Sequence, residues 1–187
     1  MVSTDDAEIA EIAKSFGASI PFFRSARTSD DYATTRDVLE EVLQKYQSRG
    51  NTFDYMCCLY PTAPFVTPEK LRQAYQLLLE QDADEAVPLV RYSAPPQRGF
   101  YIRDGQKIAL YPEMQPCRSQ DLEPIFHDAG QFYFYRTSSF FGPKDGYRSV
   151  PIILPETEVQ DIDHLEDWII AELKYELMAK NQKMCYI

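Results

Sequence analysis

The chain has 187 residues, of which 44% are hydrophobic and 13% aromatic, so it is long and apolar enough to fold around a core of its own. Its formal net charge of −10 argues against a general nucleic-acid-binding protein, which needs a basic face for phosphates. No apolar run approaches the roughly 20 residues that span a bilayer, and no signal segment opens the chain, so neither nucleic acid nor a membrane is an expected partner.

The cysteines and glycines show which common disulfide, metal-binding and phosphate-binding motifs the sequence lacks. Four cysteines, two of them adjacent at Cys57 and Cys58, form neither a disulfide framework nor a CxxC metal site, which predicts a reduced, soluble, cytoplasmic protein. The 7 glycines form neither GxGxxG nor GxxxxGK followed by Ser or Thr, so neither standard phosphate-binding loop is visible.

Helical and extended patterns alternate along the chain. The first helix is predicted over residues 5–16, where Thr4 or Asp5 can cap its start, and the second over residues 35–47. A short apolar run at residues 54–60 predicts a buried strand.

The middle of the chain predicts a third helix over residues 67–80 and a strand over residues 86–91. The Asp104-Gly105 pair is a strong signal for the turn of a hairpin. The two strands of that hairpin are predicted at residues 98–103 and 107–111.

Two more strands are predicted at residues 131–136 and 150–154. The last helix begins at Asp163, and Glu166 stands three residues later as in a capping box. One face of this helix carries Leu165, Trp168, Ile169 and Leu173. Strands separated by helices predict an α/β sheet, whose ligands bind in loops beyond the carboxyl ends of the strands.

The loop at residues 24–31 is the first polar cluster beside a helix end. Arg24 or Arg27 can hold a phosphate or a carboxylate through two parallel hydrogen bonds. The alternative is a solvated turn in which Ser29 or Asp30 caps the next helix.

The second cluster, residues 60–64, directly follows a predicted strand. Its two prolines stiffen the loop, and the hydroxyl of Thr62 faces the strand end. The alternative is a rigid connection between a strand and a helix.

The third cluster lies in residues 118–130. Arg118 and Gln120 are two residues apart, so in an extended segment their side chains point to one side and suit a carboxylate or sugar hydroxyls. His127 and Asp128 are candidate general bases on their chemistry, and the alternative for His127 is a surface or packing role. No serine or cysteine stands near His127 in an evident nucleophile motif, so no covalent triad is predicted.

Asp161 and Asp163 form the fourth cluster. Two carboxylates at i and i+2 of an extended segment share a face and suit one hard divalent cation, with water and phosphate completing its shell. The alternative is that Asp163 is only the N-cap of the last helix, an interpretation that Glu166 supports.

Six segments in this order resemble the acylneuraminate cytidylyltransferase family, whose members join nine-carbon acidic sugars to CMP. These segments are Val2–Asp6, Ser29–Ala33, Leu59–Pro64, Arg118–Leu122, His127–Gly130 and Asp161–Asp163. Tyr60 and residues 95–101 look most like the branch that activates pseudaminic acid. The resemblance covers nearly the whole chain.

The resemblance implies a Rossmann-like, three-layer nucleotidyltransferase fold with a mostly parallel sheet, formed by a single domain over residues 1–187. It implies transfer of CMP from CTP to a sugar of the pseudaminic or sialic acid type, with Mg²⁺ as cofactor and pyrophosphate as the second product, for cell-surface glycans or flagellin glycosylation. The region of the hairpin, about residues 92–118, would then be the arm of a homodimer, and the alternative is an ordinary surface hairpin.

By the same resemblance, eight residues form the site. Three of them contact the nucleotide, three contact the sugar and two hold Mg²⁺ as the catalytic pair. They are Arg24, Ser29 and Thr62 for the nucleotide, Tyr60, Arg118 and Gln120 for the sugar, and Asp161 and Asp163 for the metal.

The sequence departs from the family pattern at its start. Family members carry a strand, a Gly-rich basic loop for the triphosphate and a helix ahead of the strand that corresponds to Val2–Asp6, and this first β-α unit is not in the sequence. One expectation is an active synthase, excised from a longer chain or completed by another strand or a partner subunit. The alternative is a catalytically inactive relative that binds a sugar or another protein.

Overall fold

Residues 1–142 and 145–184 are described by the structure, a computed structural model. The chain divides into two compact units, Met1–Met56 and Cys57–Ile187, and the boundary falls inside the first strand. The expectation of one domain over residues 1–187 stays a prediction.

The first unit contains two helices, α1 (Ala7–Ser15) and α2 (Thr35–Gln47). Both were predicted, and the bounds of α2 are those of its apolar pattern. The N-cap of α1 is Asp6, whose Oδ1 accepts from the N–H of Ile9 at 2.9 Å. The prediction of Thr4 or Asp5 at this position is therefore wrong by one or two residues.

The start of α2 is fixed by a reciprocal capping box between Thr34 and Asp37. The alternative in which Ser29 or Asp30 caps this helix is therefore wrong. Ser29 instead ends a short 3-10 turn, Ala26–Thr28, that precedes the helix.

No strand forms at the start of the described chain, although the resemblance places one at Val2–Asp6. Val2 donates its N–H to the Ser19 carbonyl at 3.0 Å, and the Thr4 carbonyl accepts from the N–H of Arg24 at 2.8 Å. Because both partners are loop residues, these bonds tie the chain start to a loop and do not begin a ladder.

The second unit is built on a sheet. Its strands and helices are β1 (Tyr55–Leu59), α3 (Pro68–Glu80), β2 (Glu85–Arg91), β3 (Phe100–Arg103), β4 (Gln106–Ala109), β5 (Phe126–Asp128), β6 (Phe132–Arg136), α4 (Thr137–Phe140), β7 (Ser149–Leu154) and α5 (Leu165–Met184). The strand order is β1-β6-β2-β5, with β7 also paired to β2, and β3 and β4 form a separate hairpin.

Strand β2 organises the sheet because it pairs with three other strands. It runs parallel to β7, with Glu85 opposite Ser149 and Val90 opposite Leu154. It runs antiparallel to β6 at its start and to β5 at its end, where Arg91 is opposite Phe126.

The predicted α/β architecture is present, but the expectation of a mostly parallel sheet is wrong, since two of these three pairings of β2 are antiparallel. A parallel neighbour needs a crossover connection, which is usually a helix. The segment between β2 and β5 carries the β3–β4 hairpin and short 3-10 turns instead, so the chain returns in the opposite direction.

The core of the second unit lies between this sheet and α3, which packs against β2, β6 and β7. Ala74 and Leu78 on α3 are fully buried, as is Phe132 on β6. The helix begins as predicted, because Thr67 accepts from the N–H of Lys70 and Pro68 takes the first helical position.

Two apolar segments are more exposed than their patterns predict. Leu59 in β1 is 54% exposed, so this strand is not the buried strand that its composition indicates. On α5, the four apolar residues that form the predicted face are each more than half exposed, namely Leu165, Trp168, Ile169 and Leu173. None of the helices in the described ranges is long and apolar enough to cross a membrane.

The hairpin is confirmed where the turn signal placed it. Arg103 is opposite Gln106, and the two turn residues, Asp104 and Gly105, have φ angles of 51° and 71°. Positive φ at both central residues is the requirement of a type I′ turn, which glycine and aspartate meet at low cost.

Replacement of the buried ring on β6 should destabilise the protein. Phe132 is 0% exposed, so F132A removes buried apolar surface and leaves a cavity, with an expected loss of about 3–5 kcal/mol of unfolding free energy. Urea denaturation followed by circular dichroism measures this loss. The control F141A truncates a ring that is 49% exposed and should cost less than about 1 kcal/mol. Equal losses for the two variants would contradict this placement of the core.

Candidate active site

In the first unit, the nucleotide-binding candidates Arg24 and Ser29 lie at the two ends of one short segment. Ser29 donates its hydroxyl to the carbonyl of Ser25 at 2.9 Å, which closes the segment on itself. The guanidinium of Arg24 makes a long, 3.4 Å contact with Asp5. Among the described residues, the buried Nε of Arg24 has no hydrogen-bond partner, so this cation retains donors for a ligand.

A buried carboxylate holds this segment. Glu41 on α2 is only 6% exposed, and it accepts hydrogen bonds from the N–H and hydroxyl of Ser25, the hydroxyl of Thr28 and the ammonium of Lys45. A buried charge is tolerated when it is paired and fully hydrogen-bonded, as Glu41 is here. The sequence pattern did not single out Glu41, because a glutamate on a predicted helix ordinarily faces solvent.

The hydrogen bonds set the protonation state of Glu41. Burial by itself raises the pKa of this carboxyl, but the hydrogen bonds from Lys45, Ser25 and Thr28 outweigh that effect and lower the pKa to about 2. Glu41 is therefore ionised throughout the range in which enzymes work.

In the second unit, a pocket of about 260 Å³ opens at the end of β2 where β5 begins. Its lining comes from four parts of the chain: the end of β2, the residues around His127, the segment after β7 and one lysine of α5. The lining residues are Val90, Arg91, Tyr92, Ser93, His127, Asp128, Ala129, Glu156, Val159, Gln160, Asp161 and Lys174. The pocket thus brings together three carboxylates and several cationic or neutral donors.

The pocket joins two of the predicted clusters. Asp161, a predicted metal ligand, lines it together with the two candidate bases, His127 and Asp128. The ring of His127 lies 4.5 Å from that of Tyr92, and its Nδ1 is 2.8 Å from the carbonyl of Asp128. His127 therefore has a packing partner and also faces the pocket.

Asp128 is held by two donors. Its Oδ1 accepts from the N–H of Gly130 at 2.8 Å and from the hydroxyl of Tyr133 at 2.9 Å. Burial, followed by the hydrogen bond to Asp128, raises the pKa of Tyr133 well above its ordinary value, so this hydroxyl stays protonated. Tyr133 was not predicted as a site residue, since it lies within an aromatic strand pattern that indicates only packing.

The carboxylates of Asp161 and Asp163 are exposed, and neither caps α5. The helix begins at Leu165, two residues later than predicted, and Asp167 accepts from the N–H groups of Asp163 and His164. The capping box predicted for Asp163 with Glu166 is therefore wrong, and the side chain of Asp163 is not occupied by capping. Within residues 1–142 and 145–184, no group of three or more His, Cys, Asp or Glu side chains is arranged to hold a metal ion.

Tyr60 and Thr62 follow β1, and neither lines the pocket directly. Tyr60 donates its N–H to the carbonyl of Gln131, and its ring meets that of Tyr133 edge to face at 5.3 Å. Tyr60 therefore reaches the pocket through Tyr133 and Asp128, whereas Thr62 is exposed in the turn that follows.

Arg118 and Gln120 lie outside the pocket lining and are exposed. Residues Ser119–Asp121 form a 3-10 turn, so the extended geometry that would place both side chains on one side is not observed. The guanidinium of Arg118 makes two hydrogen bonds to Asp121, at 2.6 and 3.1 Å. The arginine is thus already arranged for bidentate carboxylate binding, with an intramolecular carboxylate in place.

Comparisons with known proteins match most of the chain, including every candidate site residue described above. A family model described as Cytidylyltransferase matches residues 1–181. The pseudaminic acid cytidylyltransferase of Campylobacter jejuni subsp. jejuni serotype O:2 is 33% identical over 180 residues, which are 95% of this chain and 78% of that protein. The CMP-N,N'-diacetyllegionaminic acid synthase of Legionella pneumophila subsp. pneumophila is 31% identical over 192 residues, with 98% of this chain and 79% of that protein covered.

A solved structure of CMP:2-keto-3-deoxy-manno-octonic acid synthetase complexed with CTP superposes with a TM-score of 0.61. The match covers 96% of this chain and 80% of that chain at 16% identity. At this identity the likeness is one of fold, and it confirms the predicted α/β nucleotidyltransferase fold.

The Glu41 cluster should make stability depend on pH in acid. The pKa of Glu41 is about 2 in the folded chain, against about 4.3 for an unfolded glutamate, so its stabilising contacts are complete above that value and are lost as the pH falls towards 2. The gap in unfolding free energy between the wild type and E41Q should therefore be wide near neutral pH and narrow below about pH 3. Urea denaturation at several pH values measures the gap, with E40Q on the same helix as the control. A gap in unfolding free energy that is equally wide at neutral pH and below about pH 3 would contradict the low pKa assigned to Glu41.

Proposed function

Because the chain belongs to the cytidylyltransferase family, we propose that it transfers CMP from CTP to an acidic nine-carbon sugar of the pseudaminic or sialic acid type. The observation that carries this proposal is the match over residues 1–181, which includes all eight predicted site residues. The relatives that act on pseudaminic and diacetyllegionaminic acids support the substrate class. We propose that the product serves the glycosylation of cell-surface glycans or flagellin, and a cytoplasmic location stays a prediction.

The reaction needs positioning and charge neutralisation more than covalent chemistry. The anomeric hydroxyl of the sugar attacks the α-phosphorus of CTP, a new P–O bond forms and the bond to pyrophosphate breaks. Both substrates are anions, and the chain itself carries a net charge of −10, so local donors have to hold them. In the pocket, Asp128 can accept the proton of the attacking hydroxyl, while Tyr133 and Gly130 hold this carboxylate in place.

We propose Mg²⁺ as the cofactor and Asp161 and Asp163 as its protein ligands. Two exposed carboxylates from one short segment are the hard oxygen donors that Mg²⁺ prefers, and this ion usually takes only one or two carboxylates, with phosphate and water as further ligands. When bound, the ion would act as a Lewis acid on the phosphate oxygens.

The remaining site residues take the roles that the resemblance gives them. We propose that Arg24, Ser29 and Thr62 contact the nucleotide, and that Tyr60 contacts the sugar. For Arg118, the carboxylate of the sugar would replace Asp121 in a bidentate pair of the kind already present. The neighbouring Gln120 is exposed and can bind sugar hydroxyls.

The hairpin is the proposed arm of a homodimer. It presents large apolar side chains to solvent on both strands, among them Tyr101 on β3 and Ile108 on β4, which are directly opposite each other and 54% and 42% exposed. Contiguous exposed apolar surface of this kind is typical of protein interfaces. Phe100 carries the ammonium of Lys107 4.1 Å from its ring centre, which adds a cation-π contact to the same surface.

The direct test of the proposal is turnover. The chain is incubated with CTP, Mg²⁺ and pseudaminic acid, and released pyrophosphate and the CMP-sugar are quantified, with sialic acid and a neutral hexose in parallel. We expect both products with an acidic nine-carbon sugar and neither with the hexose. Sugar binding without pyrophosphate release would support the inactive, sugar-binding alternative instead.

Substitution of the proposed metal ligand should abolish most of this turnover. D161N keeps the size of the side chain and removes its charge, so we expect kcat to fall by about 10²-fold or more while the fold is retained. Pyrophosphate release at saturating CTP measures kcat, and circular dichroism checks the fold. The control E172Q neutralises an exposed carboxylate of α5 and should leave kcat within about twofold. Unchanged turnover of D161N would remove Asp161 from the metal site.

A further inference from the structure

The main chain around Arg24 is held at three consecutive residues. The carbonyl of Phe23 accepts from the ammonium of Lys45 at 2.7 Å, and the N–H of Arg24 itself donates to the carbonyl of Thr4 at 2.8 Å. The N–H of the next residue, Ser25, donates to Glu41 at 2.8 Å. An arginine whose backbone is fixed on both sides can direct its guanidinium with little loss of conformational freedom on binding.

Two of these three contacts come from one face of α2. Glu41 and Lys45 are four residues apart, so they lie one above the other on the helix and form an ion pair. The lysine reaches the residue before Arg24, and the glutamate reaches the residue after it. The lysine ammonium also lies 5.3 Å from the ring centre of Phe22, which fixes its direction further.

The carboxylate of Glu41 also holds the other end of the Arg24–Ser29 segment, next to Ser29. Glu41 accepts from the hydroxyl of Thr28, which is 1% exposed, and from the hydroxyl of Ser25. Ser29 then donates to the carbonyl of Ser25. Glu41 thus binds the residue that follows Arg24 and the residue that precedes Ser29, so it sets the separation of these two side chains.

We propose that Glu41 is the positioning residue of the nucleotide site, which holds Arg24 and Ser29 at the spacing that cytidine binding requires. The inference rests on the proposed function, in which these two residues contact the nucleotide. Glu41 itself is buried and does not touch the ligand in this assignment. Its effect passes through Ser25, Thr28 and, by way of Lys45, the carbonyl before Arg24.

The charge of Glu41 matters as well as its shape. A carboxylate offers two acceptor oxygens: Oε2 accepts from the two hydroxyls, and Oε1 accepts from the Ser25 N–H and the Lys45 ammonium. A glutamine keeps only one of these acceptors and places two N–H donors against the donors of the other. Hydrogen bonds to an ionised group are also stronger than those between neutral groups. Loss of the negative charge would leave Lys45 without its acidic partner on α2. The lysine would then be held less firmly, and its hydrogen bond to the carbonyl of Phe23, the residue before Arg24, would weaken.

The test is the dissociation constant of CTP, measured by isothermal titration calorimetry on the whole chain. We expect E41Q to weaken CTP binding by about 10-fold or more, since several charge-assisted contacts are lost together. The matched control is E40Q, one residue earlier on α2, which breaks an ion pair with Arg36 and should stay within about twofold of the wild type. In turnover, the KM for CTP should rise with the dissociation constant, while the KM for the sugar should change by less than about twofold.

A second variant keeps the proposal testable if E41Q does not fold. Valine is close to threonine in shape, so T28V removes only the hydroxyl that donates to Glu41. We expect this loss to weaken CTP binding by about threefold or more in a folded protein. CTP affinities of E41Q and T28V that equal the wild type would overturn the proposal, as would equal rises in the KM of both substrates. A wild-type chain that does not bind CTP would overturn it too. CTP binding that E41Q weakens, without turnover of any acidic sugar by the wild type, would support this inference and refute the proposed function.

Discussion

The pairing of β2 with a parallel strand on one edge and antiparallel strands on the other is the constraint on which the pocket depends. Because β2 and β7 are parallel, their carboxyl ends lie at the same end of the sheet, and the residues after Leu154 arrive beside the end of β2. Asp161 reaches the pocket by this route. Because β5 is antiparallel, it starts at that same end, and His127 comes to lie opposite Val90. Residues far apart in the sequence therefore meet through strand direction alone.

An interruption between β5 and β6 fixes one carboxylate of this pocket, Asp128. The register of β2 with its antiparallel neighbours shifts between Asp128 and Phe134, and Gly130 lies in the interruption with a φ of 61°. Such irregularities re-aim side chains and are frequent beside active sites. Here the side chain of Asp128 accepts from Gly130 and from Tyr133, so the turn and the next strand together fix one carboxylate. A Cβ at Gly130 would meet only Asp161, at 3.9 Å, so there is space for a side chain. The positive φ of this residue would nevertheless strain any other amino acid.

Local signals in the sequence predicted what local interactions determine. The helix over 35–47 and the turn at Asp104-Gly105 follow from spacing and turn chemistry, and both have the predicted positions. The conformation at Arg118 and the start of α5 were predicted wrongly. A 3-10 turn follows Arg118, and the N–H groups of Asp163 and His164 donate to the side chain of Asp167, and periodicity encodes neither feature. The Glu41 cluster could not be predicted either, since its partners lie 13 and 16 residues away and meet only after α2 packs on the loop.

The electrostatics of the Arg24 segment follow from how Glu41 is neutralised. A buried carboxylate next to an arginine would ordinarily pair with it, and that pairing would consume the donors that an anionic nucleotide needs. Glu41 is instead satisfied by Lys45 and by two hydroxyls and one N–H of the loop, none of which belongs to Arg24. The only acidic partner of Arg24 in the described residues is Asp5, at 3.4 Å and half exposed, a contact that stabilises little and is easily exchanged. In a chain with a net charge of −10, this division of partners leaves one cation available to a phosphate or a base while the loop around it stays rigid.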